Sequence, residues 1–102
     1  MTVPKGLLLV DIEVDPERED EFNRWYDEEH LPEKRAAAGF HSARRFKHHS
    51  EPHRYLAVYE VDDADTVTNS AYMTSYQSPW SLSIQEAWKQ FNRSVWEEVT
   101  KP

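Results

Sequence analysis

His30 is the residue of this chain best suited to move a proton near neutral pH. It closes the string Phe22-Asn23-Arg24-Trp25-Tyr26-Asp27-Glu28-Glu29-His30-Leu31-Pro32. The Tyr26 phenol, one helical turn earlier, is placed to orient the imidazole or to donate a second hydrogen bond. Trp25 adds a flat apolar wall. Beyond Gly39-Phe40 comes Ala43-Arg44-Arg45-Phe46, and a guanidinium can hold a carboxylate or enolate in bidentate fashion. These residue types together point to proton transfer on a small anion. A structural reading of His30 competes with that one, because histidine at a helix C-terminus caps free carbonyls and suits the dipole.

The elements that must position these groups follow from periodicity. Gly6 to Val14 alternates with Leu8, Val10, Ile12 and Val14 on one face, as a strand does. Asp15-Pro16 starts a helix, with acids at Glu17, Glu19, Asp20 and Glu21 at its positive end. Its apolar stripe is Phe22, Trp25 and Tyr26, which as a helix stripe is also ordinary packing surface. Pro32 restricts Leu31, so regular helix is expected to stop or kink there, and Gly39 closes the following turn. Phe40 to His48 and Arg54 to Val61 alternate as strands around turn-forming residues 49–53. Asp62 or Asp63 caps a second helix through Val67, Ala71 and Tyr72. Ser78-Pro79 opens a third, with stripe Trp80, Ile84, Ala87, Trp88 and Phe91. Asn92 to Val99 reads as the last strand. The order is the split βαβ arrangement, β-α-β-β-α-(α)-β.

That order assigns sides. Arg44 and Arg45 point to opposite faces of their strand, so at most one enters a given pocket. Arg44 is the expected anion anchor because alternation places it with Phe40, Ser42 and Phe46. Asp11 and Glu13 share a face with Leu7 and Leu9, where an acid pairs with an arginine across the sheet or acts as a base of raised pKa. Tyr59, Trp80 and Trp88, with Tyr72 and Tyr76, join Trp25 as candidates for walling a planar ligand. Residues 6–12 and 55–59 are apolar on both faces. With about three helices on one side, the other face is expected to meet a second copy of the chain.

Composition limits the alternatives. The chain has 102 residues, a net charge of −7 and no cysteine. That charge argues against nucleic acid and anionic membrane, and the missing thiols remove disulfides and thiolate metal sites. His41, His48, His49 and His53 lack metal-ligand spacing, and no phosphate loop, dinucleotide fingerprint or nucleophile elbow occurs. The expectation is one cytoplasmic domain over residues 1–102, with neither metal nor cofactor.

The helix-end string with Gly39-Phe40 and Ala43-Arg44-Arg45-Phe46 resembles the dimeric α/β-barrel superfamily, on its EthD-like side. The resemblance implies an α+β, ferredoxin-like βαββαβ fold with an extra short helix, and a homodimer whose sheets form a barrel. Members of that superfamily include cofactor-free monooxygenases, isomerases, cyclases and lyases acting on flat organic molecules, haem-handling enzymes, and many proteins without a known activity. The leading expectation is a lyase, isomerase or cyclase acting on a compact anionic, aromatic or polyketide-like metabolite. In it His30 is acid or base, Tyr26 its orienter, and Arg44, Trp25, Tyr59, Trp80 and Trp88 bind the substrate. The alternatives are a cofactor-free monooxygenase and a ligand-binding accessory protein without turnover.

Overall fold

Alternating strands and amphipathic helices assemble as a four-stranded antiparallel sheet of order β2-β3-β1-β4 with helices on one face. The computed structural model describes residues 3–101. The strands are β1 (Gly6–Val14), β2 (Phe40–Lys47), β3 (Arg54–Val61) and β4 (Trp88–Glu97). The two strands expected to be apolar on both faces, β1 and β3, occupy the centre. The fold is α+β and ferredoxin-like.

Between β1 and β2 the chain is helical almost throughout. Asp15 accepts the Glu17 N–H at 2.9 Å, and Pro16 sets the first dihedral of a 3-10 turn, Pro16–Arg18. Then follow α1 (Glu19–Trp25), a π-helical turn (Tyr26–His30) and α2 (Leu31–Arg35). Of the stop or kink expected at Pro32 the stop does not occur, since Leu31 keeps helical dihedrals (φ −64°, ψ −46°), but the regular helix does give way to the π-turn just before it. Pro32 lacks an N–H, and its ring would crowd the carbonyl four residues back in a regular helix. The chain instead takes one extra residue into the turn, and the Leu31 N–H reaches the Tyr26 carbonyl. Gly39 (φ 85°) then reverses direction, and a Cβ there would lie 2.7 Å from Thr66 Cγ2.

The second half corrects two further expectations. The helix expected from Asp62–Asp63 to Tyr72 is two short ones, α3 (Asp65–Thr68) and α4 (Ser70–Met73). Asn69 is extended between them and accepts the Tyr72 N–H at 2.8 Å, so this side chain starts a new helix. The next helix, α5 (Pro79–Ile84), is capped by Ser78, and a 3-10 turn (Gln85–Ala87) follows. Trp88 and Phe91 belong to β4, not to that helix. Their backbone is committed to β1 by Val14↔Trp88 and Ile12↔Phe91 pairing, which overrides the helical spacing of their side chains.

The core lies between the sheet and the helices. Phe22, Trp25, Ile12, Val14, Val61, Val67 and Ile84 are almost completely buried, each stabilising the fold by roughly 1.5–3 kcal/mol through apolar burial. A bulge at the start of β2 reads Phe40↔Val61 and then Ser42↔Glu60. It puts Phe40 on the helix side with Ala43 and Arg45, whereas Ser42, Arg44 and Phe46 face away.

Candidate functional site

The π-turn determines what His30 can touch. Residues five apart on a regular helix are rotated by about 140° and do not meet. With the extra residue in the turn, the His30 ring stacks on Trp25 at 4.4 Å and 23°. Its other neighbours meet it edge-on, Tyr26 at 5.2 Å and Tyr59 at 6.4 Å. The expected hydroxyl-to-imidazole bond from Tyr26 is therefore replaced by an edge-to-face contact. Trp25 is fixed in turn, because its indole N–H donates to Glu29 at 2.9 Å. The same carboxylate oxygen accepts the Ser78 hydroxyl at 2.6 Å, tying the π-turn to the cap of α5. His30 is not at a helix end, since α2 continues to Arg35, so the capping role does not apply.

Electrostatics keep this imidazole neutral. Burial, then the positive charges of Lys34 and Arg45, lower its pKa to about 3. Tyr26 is pushed up to about 12, first by burial, and Tyr59 rises further for the same reason. At ordinary pH the group is one neutral imidazole with two protonated phenols.

These side chains wall a cavity of about 450 Å³ between the sheet and the segment from α4 to α5. Trp25, Tyr26, His30, Tyr59 and Trp88 all line it. Two of its buried polar atoms have no hydrogen-bond partner, Tyr59 Oη and Trp88 Nε1. Tyr26 lies close enough to perturb the Tyr59 hydroxyl but not in bonding geometry with it. Lone buried polar atoms cost the free protein stability, and such groups are normally satisfied in a native fold. Here both belong to side chains that line the cavity, although the two atoms themselves are closed off from solvent.

The arginine expectation is corrected. Arg44 lies on the opposite face of the sheet, its guanidinium 5.0 Å from the Phe46 ring, and takes no part in the cavity. The bulge at the start of β2 is the reason, since it breaks the alternation that grouped Arg44 with Phe40. Arg45 faces the helices but is caged, 4.0 Å from the Tyr26 centroid and 5.0 Å from Tyr55, with Nη2 donating to Asn23 at 2.9 Å. Trp80 is also outside. Its indole N–H donates to Glu21 at 3.1 Å, and Arg24 lies over its ring. The cations that line the cavity are Lys34 and Arg93, which the sequence reading did not single out. Parity was the available signal, because Arg93 alternates with Phe91 and Val95, and those pair with the core residues Ile12 and Leu8.

Across the sheet, Asp11 forms the expected ion pair. Arg54 donates to its two oxygens at 2.7 and 2.9 Å, which holds the Asp11 pKa below its usual value. Three of the four histidines of the second strand and hairpin meet one carboxylate each, His41 with Asp62, His48 with Glu51 and His53 with Glu19, and His49 stacks on His48. Among the described residues no three such side chains converge on one point, and no helix is long and apolar enough to cross a membrane.

The family model DUF4286, described as a domain of unknown function, matches residues 6–99. No curated protein matches the chain. Among solved structures, a provisionally assigned antibiotic biosynthesis monooxygenase of Bordetella bronchiseptica superposes with a TM-score of 0.78 at 18% identity, covering 96% of this chain and 100% of that one. A dimeric ferredoxin-like protein from an uncultured marine organism gives 0.74 at 18%, covering 97% and 91%. Another provisionally assigned antibiotic biosynthesis monooxygenase, of Deinococcus radiodurans, gives 0.72 at 8%, covering 95% of each. At these identities the likeness is one of fold.

Proposed function

Because the chain belongs to the DUF4286 family and has a ferredoxin-like fold, we propose that it is a small cofactor-independent enzyme acting on a compact aromatic or polyketide-like metabolite. The observation that carries this reading is one cavity lined by His30, Tyr59 and Trp88, in which the Tyr59 Oη and Trp88 Nε1 atoms are buried without a partner. A neutral imidazole takes a proton from an acidic C–H or phenolic O–H. The phenol and indole then donate to the oxygen on which negative charge develops. The proton is held on His30 only while the substrate anion formed beside it offsets the charges of Lys34 and Arg45, and it is then returned elsewhere on the molecule, which makes the reaction an isomerisation, cyclisation or elimination. In this reading the whole chain acts as one domain, two copies pair through their open sheet faces, and the resemblance of the helix-end string supports the EthD-like side of the fold's relatives.

A second reading is favoured by the names of the neighbours in Bordetella bronchiseptica and Deinococcus radiodurans. The first step is unchanged, but the resulting anion is then oxidised by dioxygen, with one oxygen atom entering product and the other leaving as water. Proton exchange from 1,3-dicarbonyl and naphthol probes in deuterated buffer, with and without air, separates the two. Exchange without oxygen uptake supports the isomerase reading, and uptake tied to turnover supports the monooxygenase. His30→Ala should slow either by about a hundred- to ten-thousand-fold with the fold retained. Full activity in that variant removes His30 from the mechanism. Saturable binding of these probes with neither exchange nor uptake leaves an accessory ligand-binding protein.

A further inference from the structure

Tyr72 brings together two cations from different elements. Lys34 Nζ, from α2, lies 4.6 Å from the ring centroid, and the Arg93 guanidinium, from β4, lies 6.0 Å from it. All three side chains line the cavity. Arg93 is held in place, since Nη2 donates to the Val67 carbonyl at 2.6 Å. Lys34 and Arg93 are both half-buried, and neither joins an ion pair among the described residues. Glu33 is the one carboxylate lining the same space, and it is exposed. Two partly desolvated cations without a carboxylate partner make a local anion site on a chain whose net charge is −7.

We propose that Lys34, Tyr72 and Arg93 form a carboxylate-recognition subsite, so that the ligand of this cavity is an aromatic monocarboxylate. Its charged end is held by the two cations, and its ring reaches toward His30 and Tyr59. The proposal rests on the reading that the cavity holds the ligand. Arg93 offers N–H groups beyond the one spent on Val67, and Lys34 acts as a point charge. The Tyr72 ring steadies both cations through its face and leaves an apolar ledge for the ligand. Anchor and base are also coupled, because Lys34 is one of the charges that disfavour protonation of His30. A bound carboxylate offsets that charge and makes the imidazole a better base once substrate is in place.

Calorimetric titration with 6-hydroxy-2-naphthoate and its neutral methyl ester tests this directly. The wild-type protein should prefer the carboxylate by about tenfold or more, the value of one charge-assisted hydrogen bond. Lys34→Gln and Arg93→Gln should each shrink that preference, weakening the carboxylate by a larger factor than the ester. Equal affinity for both probes in the wild type, or an undiminished preference in both variants, overturns the subsite. If Arg93→Gln fails to fold for want of its bond to Val67, Lys34→Gln decides alone. Tyr59→Phe keeps the underlying cavity reading separate, since it should weaken both probes alike. If it changes neither, the probes bind elsewhere and both readings fall. Binding of neither probe below millimolar concentration also overturns the proposal.

Discussion

The two faces of the sheet have opposite deficits. On the helix side apolar surface is largely covered, with Phe91 at the cavity 49% exposed, yet among the described residues the three buried side-chain polar atoms without a partner all lie there, on Arg45, Tyr59 and Trp88. On the open side several polar groups pair with one another. Asp11 pairs with Arg54, Ser42 donates to Glu60 at 2.7 Å, and the Trp96 indole donates to Ser94 at 2.8 Å. What that face lacks is cover, with Leu7 37%, Phe46 42% and Trp96 55% exposed. A shortage of hydrogen-bond partners is met by a small polar ligand, and a shortage of apolar cover by another protein surface. On the proposed reading, one sheet separates two kinds of recognition by the parity of its strands.

Breaking the open face should have the largest effect. Leu9 and Val58 are paired on the central strands of that face, so two sheets packed against each other would bury both. The wild type should sediment as a dimer at micromolar concentration. Leu9→Glu should give a monomer, because an unpaired charge in that contact costs several kcal/mol. A monomeric wild type of full stability would remove the protein-protein half of the comparison and leave the helix-side cavity untouched.

The next effect is on the helix side and appears with pH. His30 is held neutral in the fold, with a pKa of about 3 against an ordinary value of 6.5. Between those values the unfolded chain binds a proton that the folded chain does not, so stability is complete above about 6.5 and falls as pH drops toward 3. The slope is at most about 1.4 kcal/mol per pH unit, and partial exposure of the ring keeps it lower. His30→Gln removes this titration. Melting temperatures of the two proteins should therefore diverge steadily from pH 7 to pH 4, with the wild type losing more. Parallel curves would mean that water reaches the imidazole freely and that the site is wetter than its packing implies.

Much of this contrast was legible in residue order, but not its details. Alternation located all four strands and put β1 and β3 at the centre, because burial on two faces leaves a plain apolar signature. The string around His30 located the cavity's helix wall. Its geometry was hidden, because the effect of Pro32 depends on whether the turn before it widens or breaks. Arg44 was misplaced for a similar reason. One bulged residue at His41 reverses which parity faces the helices, and a bulge between polar residues has no signature in the pattern. Lys34 and Arg93 went unnoticed because they come from elements 59 residues apart and meet only through Tyr72.

The smallest expected effect is the most diagnostic of the helix-side deficit. Tyr59 is 1% exposed, and its hydroxyl is both buried and unpartnered. Tyr59→Phe removes that oxygen and little else, since the ring keeps its edge contacts with Phe40 and His30. Deleting a buried donor that has no acceptor recovers a desolvation penalty of about 1 kcal/mol. For a chain of this size that corresponds to a rise in Tm of about 4–8 °C. The same variant should lose affinity for the naphthoate probe, because the donor is missing when the acceptor arrives. Higher stability with weaker binding is the pattern of a group kept for its ligand. A fall in Tm instead would mean that the hydroxyl is already satisfied, by Tyr26 or by water, and only Trp88 Nε1 would remain as an open donor in the cavity.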